Sequence, residues 1–283
     1  MPGRSQSSSA AVSVTGVISR AERATSFGAV AEDYDRLRPG PPDAAVDWLL
    51  PMQCEVAVDL AAGTGLLTRV LARKVAQVVA IEPDERMAAV LRARSPGVHV
   101  LHGRGEAIPV PDASADGVFV SSAWHWMDPD RAVPEVARVL RDGGRFGVVW
   151  SSLDREVGWL RELRRLSRPD PAETDAQGEQ QLRSGLHHQV TLPEGGPFGD
   201  IATASFGFMR TMTIGDVVDL LATYSGVITA SPADRAAGLA RGRAALRERF
   251  PGATEIDVPL RASCWRADRA DRVSARAASR RSA

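Results

Sequence analysis

The feature that most constrains the fold is a short apolar segment that ends in an acid and leads into a loop of small residues. The segment 56–60 (Val-Ala-Val-Asp-Leu) predicts a buried strand, and 61–65 (Ala-Ala-Gly-Thr-Gly) a tight loop that opens a helical pattern over 66–73. Strand, loop and helix in this order begin the nucleotide-binding units of α/β proteins.

Two details of this loop bear on which nucleotide it binds. The dinucleotide fingerprint requires a third glycine three residues after the second, but Thr68 stands there. Asp59, at the end of the strand, places negative charge where a pyrophosphate would lie, which disfavours a diphosphate and favours a cation. S-adenosylmethionine joins an adenosine to a sulfonium and an ammonium, so it fits this pattern better than NAD does.

Strand and helix patterns alternate along the chain that follows. Further strands are predicted at 78–81, 98–101, 115–121 and 145–150, and a helix at 131–141. Alternation of this kind predicts a doubly wound, mostly parallel sheet with helices on both faces. Glu82 follows the second strand about 20 residues after the loop, where an acid accepts both ribose hydroxyls.

These motifs and their spacing resemble the class I S-adenosylmethionine-dependent methyltransferases of the small-molecule (type 11) kind. Asp59 to Gly65 resembles the family's D-x-G-x-G-x-G motif with Ala61 at the first glycine, a change that is tolerated if Ala61 keeps φ negative. Residues 106–109 and 135–144 match later motifs. The resemblance covers about a third of the chain and implies S-adenosyl-L-methionine as cofactor. It also implies a Rossmann-like sheet of seven strands with an antiparallel last strand and a helical cap.

The resemblance further implies which residues contact the cofactor. They are Tyr34, Asp59, Ala61, Gly63, Gly65, Glu82, Met87, Glu106, Ala107 and Ser121. Tyr34 belongs to a segment, 27–39, that is similar to the family's lid over the cofactor. The alternative is that Phe27 and Tyr34, seven residues apart, form one apolar stripe of a core helix.

The segment 121–128 follows the fourth predicted strand, at the edge where open α/β sheets bind ligands. Its residues Trp124, His125 and Trp126 predict an aromatic-walled substrate pocket, whose ring faces favour a sulfonium. The run resembles trans-aconitate methyltransferase-like proteins. His125 is the candidate catalytic base, although we favour a role in orienting the loop. The two tryptophans fit a hydrophobic cover over the sheet edge equally well.

Arginines mark the helix predicted over 153–168. Arg155, Arg161, Arg164 and Arg165 allow two interpretations, a clamp for a carboxylate or the solvated face of the helix. The pair His187-His188 lacks the partner ligands that a metal site requires, so no metal is predicted.

Composition limits the partners. Lys and Arg together number 35 and equal Asp and Glu at 35, and the arginines are scattered, so nothing favours nucleic acid. No apolar run reaches the length that spans a membrane, and two cysteines give no disulfide framework. We therefore expect a cytoplasmic protein with a small-molecule substrate. No oligomeric state is predicted.

The domain organisation follows from these patterns. Residues 1–25 and 267–283 are Ser-, Ala- and Arg-rich and are expected to be disordered tails. One methyltransferase domain is expected over 26–266. Its cofactor-binding core spans about 54–152, and its substrate cap spans about 153–200 and 213–250.

The predicted activity is methyl transfer to an O, N or C nucleophile of a small molecule, a carboxylate among them. Two alternatives remain open at this point. A nicotinamide-dependent oxidoreductase would need the full glycine fingerprint that Thr68 breaks. A non-catalytic S-adenosylmethionine-binding protein would combine an intact cofactor site with a blocked acceptor pocket.

Overall fold

A computed structural model describes residue 28 and residues 30–168 and 190–270. The predicted N-terminal tail, Phe27, the pair His187-His188 and most of the predicted C-terminal tail lie outside this part of the chain. In chain order the described elements are α1 (Ala31–Leu37), α2 (Asp43–Leu49), β1 (Val56–Leu60), α3 (Leu66–Leu71), β2 (Gln77–Ile81), α4 (Glu85–Arg94), β3 (His99–Leu101), β4 (Ala115–Ser121), α5 (Pro129–Val139), β5 (Leu140–Leu153), α6 (Gly158–Leu166), β6 (Phe198–Thr213), α7 (Ile214–Ala222), α8 (Ser225–Ile228), α9 (Pro232–Arg249) and β7 (Glu255–Arg269).

The strands form one seven-stranded sheet in the order β3-β2-β1-β4-β5-β7-β6. Each neighbouring pair from β3 to β5 is parallel, and β7 runs antiparallel to both of its neighbours. This confirms the predicted doubly wound α/β fold with an antiparallel last strand. The strand order reverses between β1 and β4, and such switch points open a ligand crevice at the carboxyl ends of the strands.

The central strands are apolar because helices cover the sheet. Four of the five residues of β1 and of β2 are buried, as expected for strands covered on both faces. Asp59 is therefore a carboxyl group in an otherwise apolar strand, and its exposed fraction is 0%. A fully buried acid at a ligand-binding edge is a functional signal, since burying a charge without a partner costs free energy.

Helix α1 joins the two halves of the molecule. On one side Tyr34 packs against Met87 of α4, and on the other Leu37 packs in the core shared by α6, α7 and α9. Two ion pairs hold it, Asp35 with Arg69 of α3 and Arg36 with Asp216 of α7, both at 2.6 Å. The predicted lid is thus fastened to both the cofactor side and the cap side.

Three predicted boundaries were wrong. The helix expected over 131–141 ends at Val139, and residues 141–144 bulge out between two pairs of the β4–β5 ladder. The predicted helix over 153–168 begins only at Gly158. The domain does not end at 266, because β7 continues to Arg269 and Ala267 is fully buried opposite Phe146. Within the described residues, none of the helices has the length and apolar character needed to cross a membrane.

Candidate functional site

The loop after β1 has a backbone conformation that few residues adopt. Ala61, Gly63 and Gly65 have φ of 55°, 59° and 89°. The condition under which alanine is tolerated here, a negative φ, is not met, because the chain turns sharply out of β1 at this residue. A left-handed alanine costs about 1–2 kcal/mol, so the loop stores strain at this position.

The loop is open at Gly63. A Cβ atom built on Gly63 would meet nothing within 4 Å, whereas one built on Gly65 would approach Leu91 of α4 at 2.9 Å. Gly65 is thus required for close packing of α3 on α4. Gly63 instead leaves the backbone uncovered for a ligand.

Glu82 connects the loop to the end of β2. Its Oε2 accepts a hydrogen bond from the Gly63 N–H at 2.7 Å, and its Oε1 accepts one from the Asp84 N–H at 2.8 Å. Each carboxylate oxygen has two acceptor positions, so one on each oxygen remains for a ligand. Burial raises the pKa of Glu82 to about 7, and the two backbone hydrogen bonds oppose that rise.

Asp59 lies beneath the same loop. The hydroxyl of Thr68 donates to its Oδ2 at 2.5 Å, while the buried Oδ1 has no hydrogen-bond partner. Burial raises the pKa of Asp59 to about 7, the Thr68 hydrogen bond opposes this, and the charge of Glu82 adds to it. The hydroxyl of Thr64 is also buried without a partner.

The remaining predicted cofactor residues fall into two places. Tyr34 packs against a cluster of Ala31, Met87 and Val90 between α1 and α4. Ser121 ends β4, and Glu106 accepts a hydrogen bond from the Asp128 N–H at 2.9 Å, which ties the loop after β3 to the loop after β4. Ala107 is exposed in the first of these loops.

Comparison with known proteins agrees with this geometry. Residues 58–148 match the methyltransferase domain family. An uncharacterized methyltransferase from Mycobacterium tuberculosis is 43% identical over 217 residues, which cover 76% of this chain and 82% of the relative. The chain belongs to this methyltransferase family.

Two further relatives extend the comparison. Malonyl-[acyl-carrier protein] O-methyltransferase from Serratia marcescens is 30% identical over 208 residues, which cover 70% of this chain and 74% of that protein. The solved structure of a protein assigned as a type II methyltransferase from Anaeromyxobacter dehalogenans has a TM-score of 0.62 and 25% identity, covering 82% of this chain and 97% of that one. The chain is therefore a methyltransferase enzyme, and the oxidoreductase alternative is dropped.

The three residues of the Trp-His-Trp turn, Trp124 to Trp126, differ in how far they are buried in this methyltransferase. Trp124 is 3% exposed and its ring lies 5.0 Å from that of Phe146 in the core. For Trp124 this favours a role as a hydrophobic cover of the sheet edge rather than as a wall of the substrate pocket. His125 is exposed and its ring lies 4.5 Å from that of the half-buried Trp126. The substrate-pocket role of His125 and Trp126 stays a prediction.

The four arginines around α6 separate into two pairs. Arg161 and Arg165 are exposed, and Arg165 pairs with Glu162 at 2.6 Å, as the solvated-face interpretation predicts. Arg155 and Arg164 are half-buried. Sequence periodicity alone did not separate these pairs, because the packing partners of α6 come from distant parts of the chain.

Sequence reasoning did not single out two structural features. Thr68 was considered only because it stands where the dinucleotide fingerprint requires a glycine. Its hydroxyl in fact donates a hydrogen bond to Asp59. Tyr224 was not singled out, although it is one of only two tyrosines in the chain. Both tyrosine rings face Arg38, at 5.2 Å for Tyr34 and 4.2 Å for Tyr224. The scarcity of tyrosine was the one signal available in the sequence.

Proposed function

We propose that this methyltransferase binds S-adenosylmethionine at the carboxyl ends of β1 and β2 and transfers its methyl group to a small-molecule acceptor. The observation that supports this proposal most directly is the hydrogen bond that the Gly63 N–H donates to Glu82. It holds a buried carboxylate, with acceptor positions to spare, directly beside a loop that is open at Gly63.

The residues present fit this cofactor. Glu82 has one free acceptor position on each oxygen for the two ribose hydroxyls. Asp59 has an unpartnered buried oxygen under the loop, and its negative charge favours a cationic ligand over a diphosphate. The loop offers an uncovered backbone at Gly63.

Bound S-adenosylmethionine supplies a methyl group that is already activated by the sulfonium. The protein therefore has to bind, align and exclude water rather than form a covalent intermediate. In this proposal Tyr34 and Met87 cover the cofactor from α1 and α4, and Ser121 and Glu106 border it from the loops after β4 and β3. His125 orients the loop in this proposal, and an additional base is needed only for acceptors that must lose a proton.

The acceptor is proposed to be a small molecule whose nucleophile is O, N or C. The name of the Serratia marcescens relative specifies O-methylation of a malonyl group, whose free oxygen nucleophile belongs to a carboxylate. This supports a carboxylate among the candidate nucleophiles. The helices α6, α7 and α9, which share one core outside the parallel strands, are proposed to be the substrate cap.

The proposal is tested by calorimetry followed by an acceptor screen. We expect the purified chain to bind S-adenosylmethionine and S-adenosylhomocysteine and to show little binding of NAD. A screen of carboxylic acids, phenols and amines with methyl-labelled cofactor then identifies the nucleophile. Tighter binding of NAD would contradict the proposed cofactor. Cofactor binding without transfer to any class would support the non-catalytic alternative.

A further inference from the structure

Two arginines lie over the ring of Tyr224, and a third lies near them. The guanidinium carbon of Arg38 lies 4.2 Å from the centre of the Tyr224 ring, and that of Arg164 lies 4.5 Å from it. Arg155 completes the group, since the charge of Arg164 contributes to lowering its pKa. We call these four residues the arginine cluster.

The arginine cluster has no acidic partner in the described part of the chain. The Nη1 of Arg164 and the Nε atoms of Arg38 and Arg155 are buried and make no hydrogen bond, and neither does the hydroxyl of Tyr224. The one side-chain hydrogen bond in the group runs from Arg38 to the backbone carbonyl of Thr223 at 3.0 Å.

Other arginines of the same chain are paired. Arg138 binds Glu135 and Asp112, each at 2.8 Å, and Arg261 binds Asp154 at 2.8 Å and Glu156 at 2.7 Å. These pairs show how the fold ordinarily neutralises a guanidinium.

Burial makes the unpaired cations costly. Burial, and to a smaller extent the nearby charge of Arg164, lower the pKa of Arg155 to about 10. Burial is also the largest cause of the lowered pKa of Arg164, to which the charge of Arg38 adds. Arginine stays protonated at neutral pH, so the cluster keeps positive charges that repel one another. Contact with the Tyr224 ring and the nearby helix C-termini offset part of this cost. No acid of the described residues neutralises the charges, so an anionic ligand gives a further reason to retain them.

The position of the arginine cluster points to the acceptor. Arg155 follows the carboxyl end of β5, the edge at which the cofactor loop also lies. Arg38 ends α1 one turn after Tyr34, and Tyr34 packs on Met87 beside the proposed cofactor site. The cluster is thus continuous with that site through α1.

The helix ends distinguish a carboxylate from a phosphate. Arg38 follows the last turn of α1 and Arg164 lies in the last turn of α6. Tyr224 lies between the C-terminus of α7 and the one-turn helix α8. Phosphate sites usually place helix N-termini and backbone N–H groups toward the ligand. Three C-termini carry negative partial charge and disfavour a dianion, while guanidinium groups still bind a planar carboxylate bidentately.

We propose that Arg38, Arg155 and Arg164, together with the hydroxyl of Tyr224, bind a carboxylate group of the methyl acceptor. This inference rests on the proposed function, because it assigns the charge of that enzyme's acceptor. It makes the preferred acceptor an organic acid, anchored through its carboxylate at the cap side of the cofactor.

The test measures binding, so that it does not depend on turnover. Acetate, malonate, succinate and citrate are titrated into the full chain by calorimetry, with and without saturating S-adenosylhomocysteine, alongside their methyl esters and inorganic phosphate. We expect at least one of the acids to bind and its ester to bind far more weakly. Arg155→Gln and Arg164→Gln should each weaken that acid by about 10- to 100-fold while the affinity for S-adenosylhomocysteine is unchanged.

Arg165→Gln is the matched control, because it removes an exposed arginine from the same helix and should leave carboxylate affinity unchanged. If Arg164→Gln fails to fold, Tyr224→Phe removes only the hydroxyl and should weaken the acid by about 3- to 10-fold. Equal affinities in wild type and cluster variants, binding of phosphate in preference to every acid, or no binding of any acid would overturn the inference. If the wild type does not bind S-adenosylhomocysteine, the proposed cofactor is contradicted. The carboxylate inference is still tested in that case, because the acids are also titrated without S-adenosylhomocysteine.

Discussion

This methyltransferase has two groups of buried ionisable side chains, the acids Asp59 and Glu82 and the arginine cluster. Their charges have opposite signs, and neither group contains a residue of the opposite charge. Asp59 and Glu82 accept hydrogen bonds from a hydroxyl and from backbone amides. The arginine cluster is left with buried nitrogens that have no acceptor. Neither group is neutralised by the other, although a buried charge without a partner is costly.

The difference in sign matches the two ligands of the proposed reaction. A cationic methyl donor suits the acids at β1 and β2, and an anionic acceptor suits the arginines around Tyr224. The fold therefore gives up stability at both places, which is the usual cost of a binding site that is built before its ligand arrives. The predictions below separate the two groups.

The largest expected effect is on the acidic side. Glu82→Ala removes two acceptor positions for ribose hydroxyls and should cost on the order of 2–4 kcal/mol of S-adenosylhomocysteine affinity by calorimetry. Binding of organic acids measured without the cofactor should be unchanged. The exposed Glu85→Ala on α4 is the matched control. Undiminished cofactor affinity in a folded Glu82→Ala protein would remove Glu82 from the site.

A second prediction concerns pH. Burial raises the pKa of Asp59 to about 7 from 3.8, so the folded state holds a proton that the unfolded state releases between those values. This contribution to stability is complete below about pH 4 and is lost as the pH rises through 7. Asp59→Asn should therefore gain stability relative to wild type between pH 5 and pH 8, on the order of 2 kcal/mol.

Urea unfolding of the ligand-free protein at the two pH values measures that gain. The exposed Asp130→Asn is the control and should differ from wild type by the same amount at both. A constant difference for Asp59→Asn would show that Asp59 is ionised throughout the range.

Removing a buried charge from the arginine cluster should also stabilise the ligand-free protein, but by an amount that does not change with pH. Arg164→Met replaces a buried cation that has no acid beside it with an apolar side chain of similar length. We expect it to stabilise the ligand-free protein by about 1–2 kcal/mol and to abolish the stabilisation that organic acids give the wild type. Thermal unfolding with and without succinate measures both. A destabilised Arg164→Met would mean that the cation is needed by the fold itself.

The smallest effect is expected at the exposed His125, which belongs to neither group of buried charges. His125→Asn keeps one hydrogen-bonding position of the imidazole and should retain activity within about threefold. A general base would instead cost roughly 100-fold or more on His125→Ala. Initial rates with the acceptor found in the screen decide between them, and an inactive His125→Asn enzyme that still binds cofactor would establish proton transfer by His125.

The sequence by itself determined the cofactor half of the protein. The strand ending in Asp59, the small-residue loop and Glu82 about 20 residues later are local patterns, and the backbone period of strands and helices makes such patterns readable. The parallel sheet followed from their order, and the antiparallel last strand from the resemblance to the methyltransferase family. The spacing could not reveal the φ of Ala61, because that angle depends on how the turn leaves β1.

The tertiary structure decided which charges are buried and what lies beside them. Arg38 and Thr223 are 185 residues apart in the chain and come into contact only when α1 packs on α7. Arg164 and Arg165 are neighbours in sequence, yet one turns into the core side of α6 while the other pairs with Glu162 in solvent. The burial of a side chain depends on contacts with residues that are distant in the sequence. The sequence pattern therefore predicts which residues share a helix but not which of them become inaccessible to solvent.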